Sequence, residues 1–405
     1  MKAIWFSNVD IAVDTMSGSG TWVMAMANAL CEYYHNIEIM NISMSHTDSV
    51  SQKFNGRIRQ IKVNKSVVDN SLIKFVKDKI TEFQPDIIHV WGTESKWSLF
   101  PFEDIGIPLI VDMQGVVFSV YDNFYGGLTI REILKCFGLK EFIRPASSLL
   151  MNRHIYKKRC RNEFDVIQKL KYVSVQSKWV EGYIKALNPN SKIFHTNIVL
   201  RPEFYKAEKW KYSNNCTIFS TATMVTPLKG LHVLLKALYI VKKYYPEVQL
   251  RLAGTIQTGL RTGGYAKLLF GYIEKYKLSK NIVFLGNLET AALIHEYQNA
   301  SLLVNPSSIE SYSLVVAEAM YIGTPTVASF VGGMANLGID NENILYFPKE
   351  DYITCANRIT SVLSSVELST YLSVSSIRYS QERCDKINIV STQYEIYSDV
   401  IKGCK

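Results

Sequence analysis

The stretch Asn305-Pro-Ser-Ser-Ile-Glu310-Ser-Tyr-Ser-Leu-Val-Val-Ala-Glu318-Ala-Met320, followed by Gly323-Thr-Pro325, sets two carboxylates around a hydroxyl-rich loop in a Glu-x7-Glu spacing. It reads as a strand ending at Asn305, a loop carrying Glu310, and a helix that Ser313 is placed to cap. The free backbone N–H groups of Ser313 and Leu314 would then form an anion site suited to phosphate. Glu318, on the helical face shared with Leu314 and Val315, would reach hydroxyls beside that phosphate, and Glu310 would reach hydroxyls on its other side. A diphosphate flanked by two hydroxylated groups is a nucleotide sugar. Taken singly, each glutamate reads as an ordinary helix-start or surface carboxylate; the pair with its loop carries the chemistry.

This spacing, with Glu-Ala-Met and Gly-Thr-Pro after it, resembles the retaining glycosyltransferases of family four (glycosyl transferases group 1), which have the GT-B fold. The resemblance covers the second half of the chain and, more loosely, the first. It implies that Glu310 contacts the donor sugar, that the amides of Ser313 and Leu314 contact the distal phosphate, and that Glu318 holds the ribose. Pro227-Leu-Lys229-Gly230 looks like the family's Lys-Gly, whose lysine pairs with the donor diphosphate. A cation at a helix start opposes the helix dipole, which favours a ligand role for Lys229 over a structural one. Leu252-Ala253-Gly254 and Phe284-Leu285-Gly286-Asn287 end strands where the family approaches the nucleotide, so Gly254 and Asn287 join the donor set. In the first half, Ser17-Gly18-Ser19-Gly20-Thr21 resembles the family's Gly-rich loop, which brings in Gly18 and Gly20 by position. His89-Val-Trp91-Gly92-Thr93-Glu94 resembles its Pro-Asp-…-His strand end. There His89 is either a contact or packed in the sheet, while Trp91 and Glu94 are placed to touch an acceptor sugar.

Two departures stand out. Where the family often carries Gly-Arg before Lys-Gly, this chain has Ser220-Thr-Ala-Thr-Met224. The hydroxyls of Thr221, Thr223 or Thr226, or an arginine such as Arg261, are open substitutes for that cation. Gln114-Gly115 stands where the family often has His-Gly at the donor sugar; Gln114 can hydrogen-bond a hydroxyl but cannot act as acid or base near neutral pH. No Asp-x-Asp occurs, so neither a metal nor any other cofactor is expected. The leaving nucleotide would be stabilised by Lys229, helix amides and hydroxyls. The resemblance implies retention at the anomeric carbon, with no side chain as general base.

The elements that must hold these residues are legible in the alternation of short apolar runs with amphipathic segments, which signals α/β architecture with parallel sheets. With 405 residues, 47% of them hydrophobic and 20% charged, the chain has material for two cores and is neither disordered nor a disulfide scaffold. Strands are expected at 2–7, 37–42, 58–63, 86–91 and 108–113, with helices at 21–34 and 71–83. The pattern restarts with strands at 217–223, 249–253, 282–285, 301–305, 325–329 and 344–347, separated by helices at 229–244, 265–277, 290–299, 313–321 and 351–363. The expected architecture is two Rossmann-like doubly wound domains facing a central cleft: an acceptor-binding domain at 1–205, a nucleotide-sugar domain at 213–385, and a segment 386–405 packing back on the first. Leu200 to Asn215 reads as the linker.

The net charge is +9, and residues 130–171 hold eleven Lys or Arg against four acids, interleaved with apolar side chains. Such a segment can lie on an anionic membrane or be a solvated helix pair using Lys and Arg stems as cover. No stretch approaches a spanning helix, Asp10 and Asp14 interrupt any signal-peptide run, and seven scattered cysteines read as reduced. The expected setting is therefore cytoplasmic, with peripheral attachment to the inner membrane face as one reading. The expected partners are a UDP- or GDP-sugar and a glycan or polyprenyl-diphosphate-linked acceptor, without nucleic acid. The activity expected is retaining, metal-independent sugar transfer in surface polysaccharide synthesis. Its rivals are a sugar-nucleotide epimerase of the same fold and a non-catalytic partner subunit with a degenerate donor site.

Overall fold

The computed structural model describes residues 1–12, 20–64, 69–93, 96–100, 102–145, 148–256 and 263–404. Gly18, Glu94 and Arg261 lie outside them. The chain divides into two compact units, one formed by Met1–Val116, Arg161–Pro202 and Cys384–Lys405, the other by Val117–Cys160 and Glu203–Arg383.

Among the described residues the first unit carries an eight-stranded sheet of β1 (Lys2–Ser7), β2 (Glu38–Ser45), β3 (Ser49–Lys53), β4 (Ile58–Asn64), β5 (Ile87–Trp91), β6 (Leu109–Asp112), β7 (Tyr172–Val175) and β8 (Lys192–His195). Their order is β3-β4-β2-β1-β5-β6-β7-β8, parallel except for the β3–β4 hairpin. The near-continuous apolar runs of β1 and β5 follow from burial on both faces of a parallel sheet. Ser7, Asn41 and Gln60 are buried polar exceptions on neighbouring strands, joined through Ser7 Oγ to Asn41 Oδ1 at 3.0 Å and Asn41 Nδ2 to Gln60 Oε1 at 2.7 Å.

The second unit holds β9 (Thr217–Ser220), β10 (Gln249–Ala253), β11 (Ile282–Gly286), β12 (Leu302–Asn305), β13 (Thr326–Ser329) and β14 (Leu345–Phe347), all parallel in the order β11-β10-β9-β12-β13-β14. Winding reverses between β9 and β12, so a crevice opens outside their carboxyl ends, where ligands of such sheets bind. The helix Leu231–Val241 buries Leu231, Leu234, Leu235, Leu238 and Val241 against this sheet. Each contributes roughly 1.5–3 kcal/mol by leaving water.

Two boundaries differ from the sequence reading. Residues 117–160 group with the second unit rather than lying in a domain spanning 1–205. His232 explains part of this: its Nε2 donates to Gly126 O at 2.8 Å and its Nδ1 accepts from the Tyr265 hydroxyl at 2.9 Å. Burial holds this histidine near a pKa of about 4, so it stays neutral and can make both bonds. The stretch expected as a linker is packed: Trp210 is buried and donates its ring N–H to Ala300 O at 2.7 Å, and Lys209 Nζ reaches Tyr321 O at 2.7 Å. Residues 384–405 group with the first unit, with the helix Lys386–Lys402 stacking Tyr394 on Tyr34 at 4.0 Å.

Candidate functional site

The crevice between β9 and β12 is built by two loops that interlock. After β9 the chain makes a short 3-10 turn, Pro227–Lys229, which Thr226 caps by accepting from Leu228 N at 3.3 Å. Gly230 then turns left-handed at φ +65°, and a Cβ there would stand 1.8 Å from the carbonyl oxygen of Pro306. Only glycine allows that approach. The second loop answers with Ser308 N donating to Leu228 O at 2.8 Å. Lys229 thus sits on its own turn rather than at the start of a helix running 229–244, because Gly230 separates the turn from the helix Leu231–Val241.

The interlock brings Lys229 Nζ to 2.5 Å from Glu310 Oε1. Ser307 Oγ donates to the same oxygen at 2.8 Å, and the main chain of Glu310 is fixed by Gly333 N donating to its carbonyl oxygen at 2.8 Å. Gly332 permits this, since a Cβ on it would meet Glu310 O at 2.3 Å. A small cavity is lined by Ser220, Thr221 and Ala222 from the end of β9, by Asn305, Pro306 and Ser307 from the end of β12, and by Lys229, Glu310 and Val315. Lys229 remains partly exposed while Glu310 is mostly covered, so the ammonium faces the solvent side of the crevice.

Ser313 occupies the position before the helix Leu314–Ile322 but does not cap it. Its backbone is held at φ +94°, and its Oγ accepts from Asn305 Nδ2 at 2.9 Å instead of from a helix N–H. The helical ladder begins with Ala317 N to Ser313 O, so the N–H groups of Leu314, Val315 and Val316 have no intrahelical acceptor. The sequence reading expects the amides of Ser313 and Leu314 to meet a phosphate; the Leu314 N–H is open at this helix start, but the expected serine cap is absent and the loop is strained instead. Glu318 is buried and accepts from the Tyr297 hydroxyl at 3.2 Å. It lies on the helix of the anion site, but its carboxylate is already held within the protein.

The remaining expectations separate. Gly254 has φ +128° and donates its N–H to Gly286 O at 2.7 Å, closing the ends of β10 and β11; Asn287 is exposed just beyond. In the first unit, Gly20 turns at φ +81° directly before the helix Thr21–Tyr33, where a Cβ would strike Val9. Gln114 is half-buried after β6. His89 and Trp91 are corrections. His89 is fully buried with Nδ1 2.7 Å from Tyr397 Oη, and burial depresses its pKa to about 3. Trp91 is equally buried, stacked on His89 at 3.9 Å and packed near Trp5 at 4.8 Å. Their ring faces are spent inside the protein, so neither stacks on a sugar.

Sequence reasoning passed over Ser307, Gly332 and Gly126. Ser307 stands within the quoted motif three residues before Glu310, which was the available signal. Gly126 gave none: a Cβ there would lie 2.4 Å from Pro227 O, so this residue of the first half of the sequence packs on the turn that carries Lys229.

Comparison with known proteins agrees with the geometry. Residues 204–376 match the family model of the glycosyl transferases group 1. D-inositol 3-phosphate glycosyltransferase of Corynebacterium urealyticum is 30% identical over 166 residues, 39% of this chain and 38% of that protein; the chain thus spans under half the length of this curated relative. Among solved structures, sucrose-phosphate synthase from Thermosynechococcus elongatus matches with a TM-score of 0.77 at 16% identity, covering 99% of each chain. HepE of Anabaena, solved in complex with UDP-glucose, matches with a TM-score of 0.72 at 16% identity over 98% of this chain and 100% of its own. At such identities the likeness is one of fold, that of the GT-B glycosyltransferases. Residues 204–376, which hold Lys229, Glu310, Ser313 and Glu318, are thus similar to the glycosyl transferases group 1.

Proposed function

We propose that the protein transfers a sugar, with retention and without a metal, from a nucleotide-sugar donor to a glycan or lipid-linked glycan in surface polysaccharide synthesis. The observation that carries the reading is the Lys229–Glu310 pair in the crevice of β9 and β12, beside the free amides of Leu314–Val316. The donor's diphosphate accepts from those amides and draws Lys229 away from Glu310. The carboxylate so released accepts from hydroxyls of the donor sugar. UDP is the favoured nucleotide, since HepE was solved with UDP-glucose.

In the transfer the bond from the anomeric carbon to the phosphate oxygen breaks while the acceptor oxygen bonds to the same carbon from the same face. The acceptor's proton passes to the leaving phosphate oxygen, so no side chain is needed as base. Lys229 and the helix amides lower the barrier by stabilising the charge that develops on the leaving diphosphate, an interaction stronger in the transition state than before it. Loss of one such donor costs about 10²–10³ in kcat.

The test is incubation of the full chain with UDP-glucose and hydroxylated glycan acceptors, reading released UDP and the anomeric proton of the product by NMR. An α product from the α donor supports the reading. A β product overturns retention, and a sugar nucleotide converted in place without acceptor supports an epimerase instead.

A further inference from the structure

The helices Ile130–Lys135, Leu139–Ile143 and the start of Leu149–Ile167 have two unlike faces. Inward they are fastened to the second unit. Leu128 and Cys136 belong to its apolar core, and Ile133 and Leu149 pack against it. Both acids of residues 130–160 turn the same way. Glu132 accepts from Lys236 Nζ at 3.0 Å, from Thr129 and from the Tyr272 hydroxyl. Glu141 accepts from the amides of Gly138 at 2.9 Å and Gly264 at 3.0 Å.

Outward, Ile130, Leu134, Phe142, Ile143 and Leu150 are 77, 64, 81, 66 and 51% exposed. Arg131, Lys135, Arg144, Lys157, Lys158 and Arg159 are exposed among them. Ile130 and Leu134, and likewise Arg131 and Lys135, are one helical turn apart, so apolar and cationic rows run side by side. A surface built only for solubility mixes both signs of charge and avoids large apolar side chains. Here both carboxylates are withdrawn, and the described outer face carries these apolar tips and cations.

We infer that residues 130–159 form a docking surface for an anionic lipid bilayer, carried by the unit that holds the Lys229–Glu310 crevice. The apolar side chains enter the acyl boundary while Lys and Arg stay with the phosphates. Among the described residues no helix is long and apolar enough to cross a membrane; the attachment inferred is to the surface. It stands independently of the donor chemistry.

The experiment is co-sedimentation of the full chain with vesicles of phosphatidylcholine alone and of phosphatidylcholine with phosphatidylglycerol. The chain is expected to pellet with the anionic vesicles and to be released as salt rises. Lys157→Gln/Lys158→Gln/Arg159→Gln, and separately Phe142→Ser/Ile143→Ser, are expected to weaken binding at least about tenfold, with unchanged near-ultraviolet circular dichroism. A chain that stays in solution with anionic vesicles, or that pellets equally with both compositions at all salt concentrations, overturns the inference. So does a lipid-free dimer that Phe142→Ser/Ile143→Ser dissociates, which would give the face to a second copy. The salt and lipid arms use the unaltered chain and do not depend on any variant folding.

Discussion

A Cβ added to Gly230 would stand 1.8 Å from the carbonyl oxygen of Pro306. That close approach locks the loop after β9 to the loop after β12, and the Lys229–Glu310 pair follows from it. Gly230→Ala forces the loops apart at a position already at positive φ, with a cost of about 1–3 kcal/mol. Urea unfolding followed by fluorescence should show that loss, and the variant should bind nucleotide more weakly because Lys229 moves with the turn.

Lys229 and Glu310 neutralise each other at 2.5 Å, which makes their substitutions unequal. Lys229→Ala removes the cation and should weaken UDP binding and lower kcat together. Glu310→Gln frees Lys229 for the diphosphate, so UDP alone should bind no worse than to the native chain while transfer falls by about 10²–10³. Isothermal titration with UDP, set beside turnover of the sugar nucleotide, separates the two. Equal loss of UDP affinity in both variants would contradict the exchange of partners.

Glu132 tests the attachment of residues 117–160 to the second unit. Burial opposes its charge, but hydrogen bonds from Tyr272, Thr129 and Lys236 outweigh it and hold the pKa at about 2. A carboxyl depressed in the folded state stabilises above its ordinary pKa and loses that contribution as pH falls toward the folded value. Glu132→Gln should therefore destabilise by about 1–3 kcal/mol at pH 7. The difference from the native chain should shrink between about pH 4 and pH 2; urea titrations at several pH values read this directly.

Ser313 is strained at φ +94° while its hydroxyl accepts from Asn305. Ser313→Ala keeps the strain and loses the bond; Ser313→Gly loses the bond but relieves the strain. The glycine variant should be the more stable of the two by about 1 kcal/mol, measured by thermal unfolding.

The sequence showed most plainly what local pattern decides. β10 and the helix Thr290–Asn299 fall where expected, because apolar runs and their flanking polar residues mark them without help from the rest of the chain. β3, with the polar run Ser-Val-Ser-Gln-Lys on the sheet edge, and β7, four residues long, carry too little pattern to be seen. The motif around Glu310 was legible because its residues are contiguous in the sequence. The grouping of residues 117–160 with the second unit was hidden because it rests on Gly126, Glu132 and Glu141 meeting partners 100 to 140 residues away. His89 and Trp91 misled because polar or amphipathic side chains at a strand end look available until neighbours such as Tyr397 and Trp5 are seen to enclose them.

The central claim is that the crevice of Lys229 and Glu310 binds a nucleotide sugar. Its most direct test is the thermal shift of the full chain with UDP-, GDP-, ADP- and dTDP-sugars in metal-free buffer. The account predicts stabilisation by one nucleotide class, UDP foremost, and its loss in Lys229→Ala. No shift with any of the four, or an equal shift in Lys229→Ala, would contradict it.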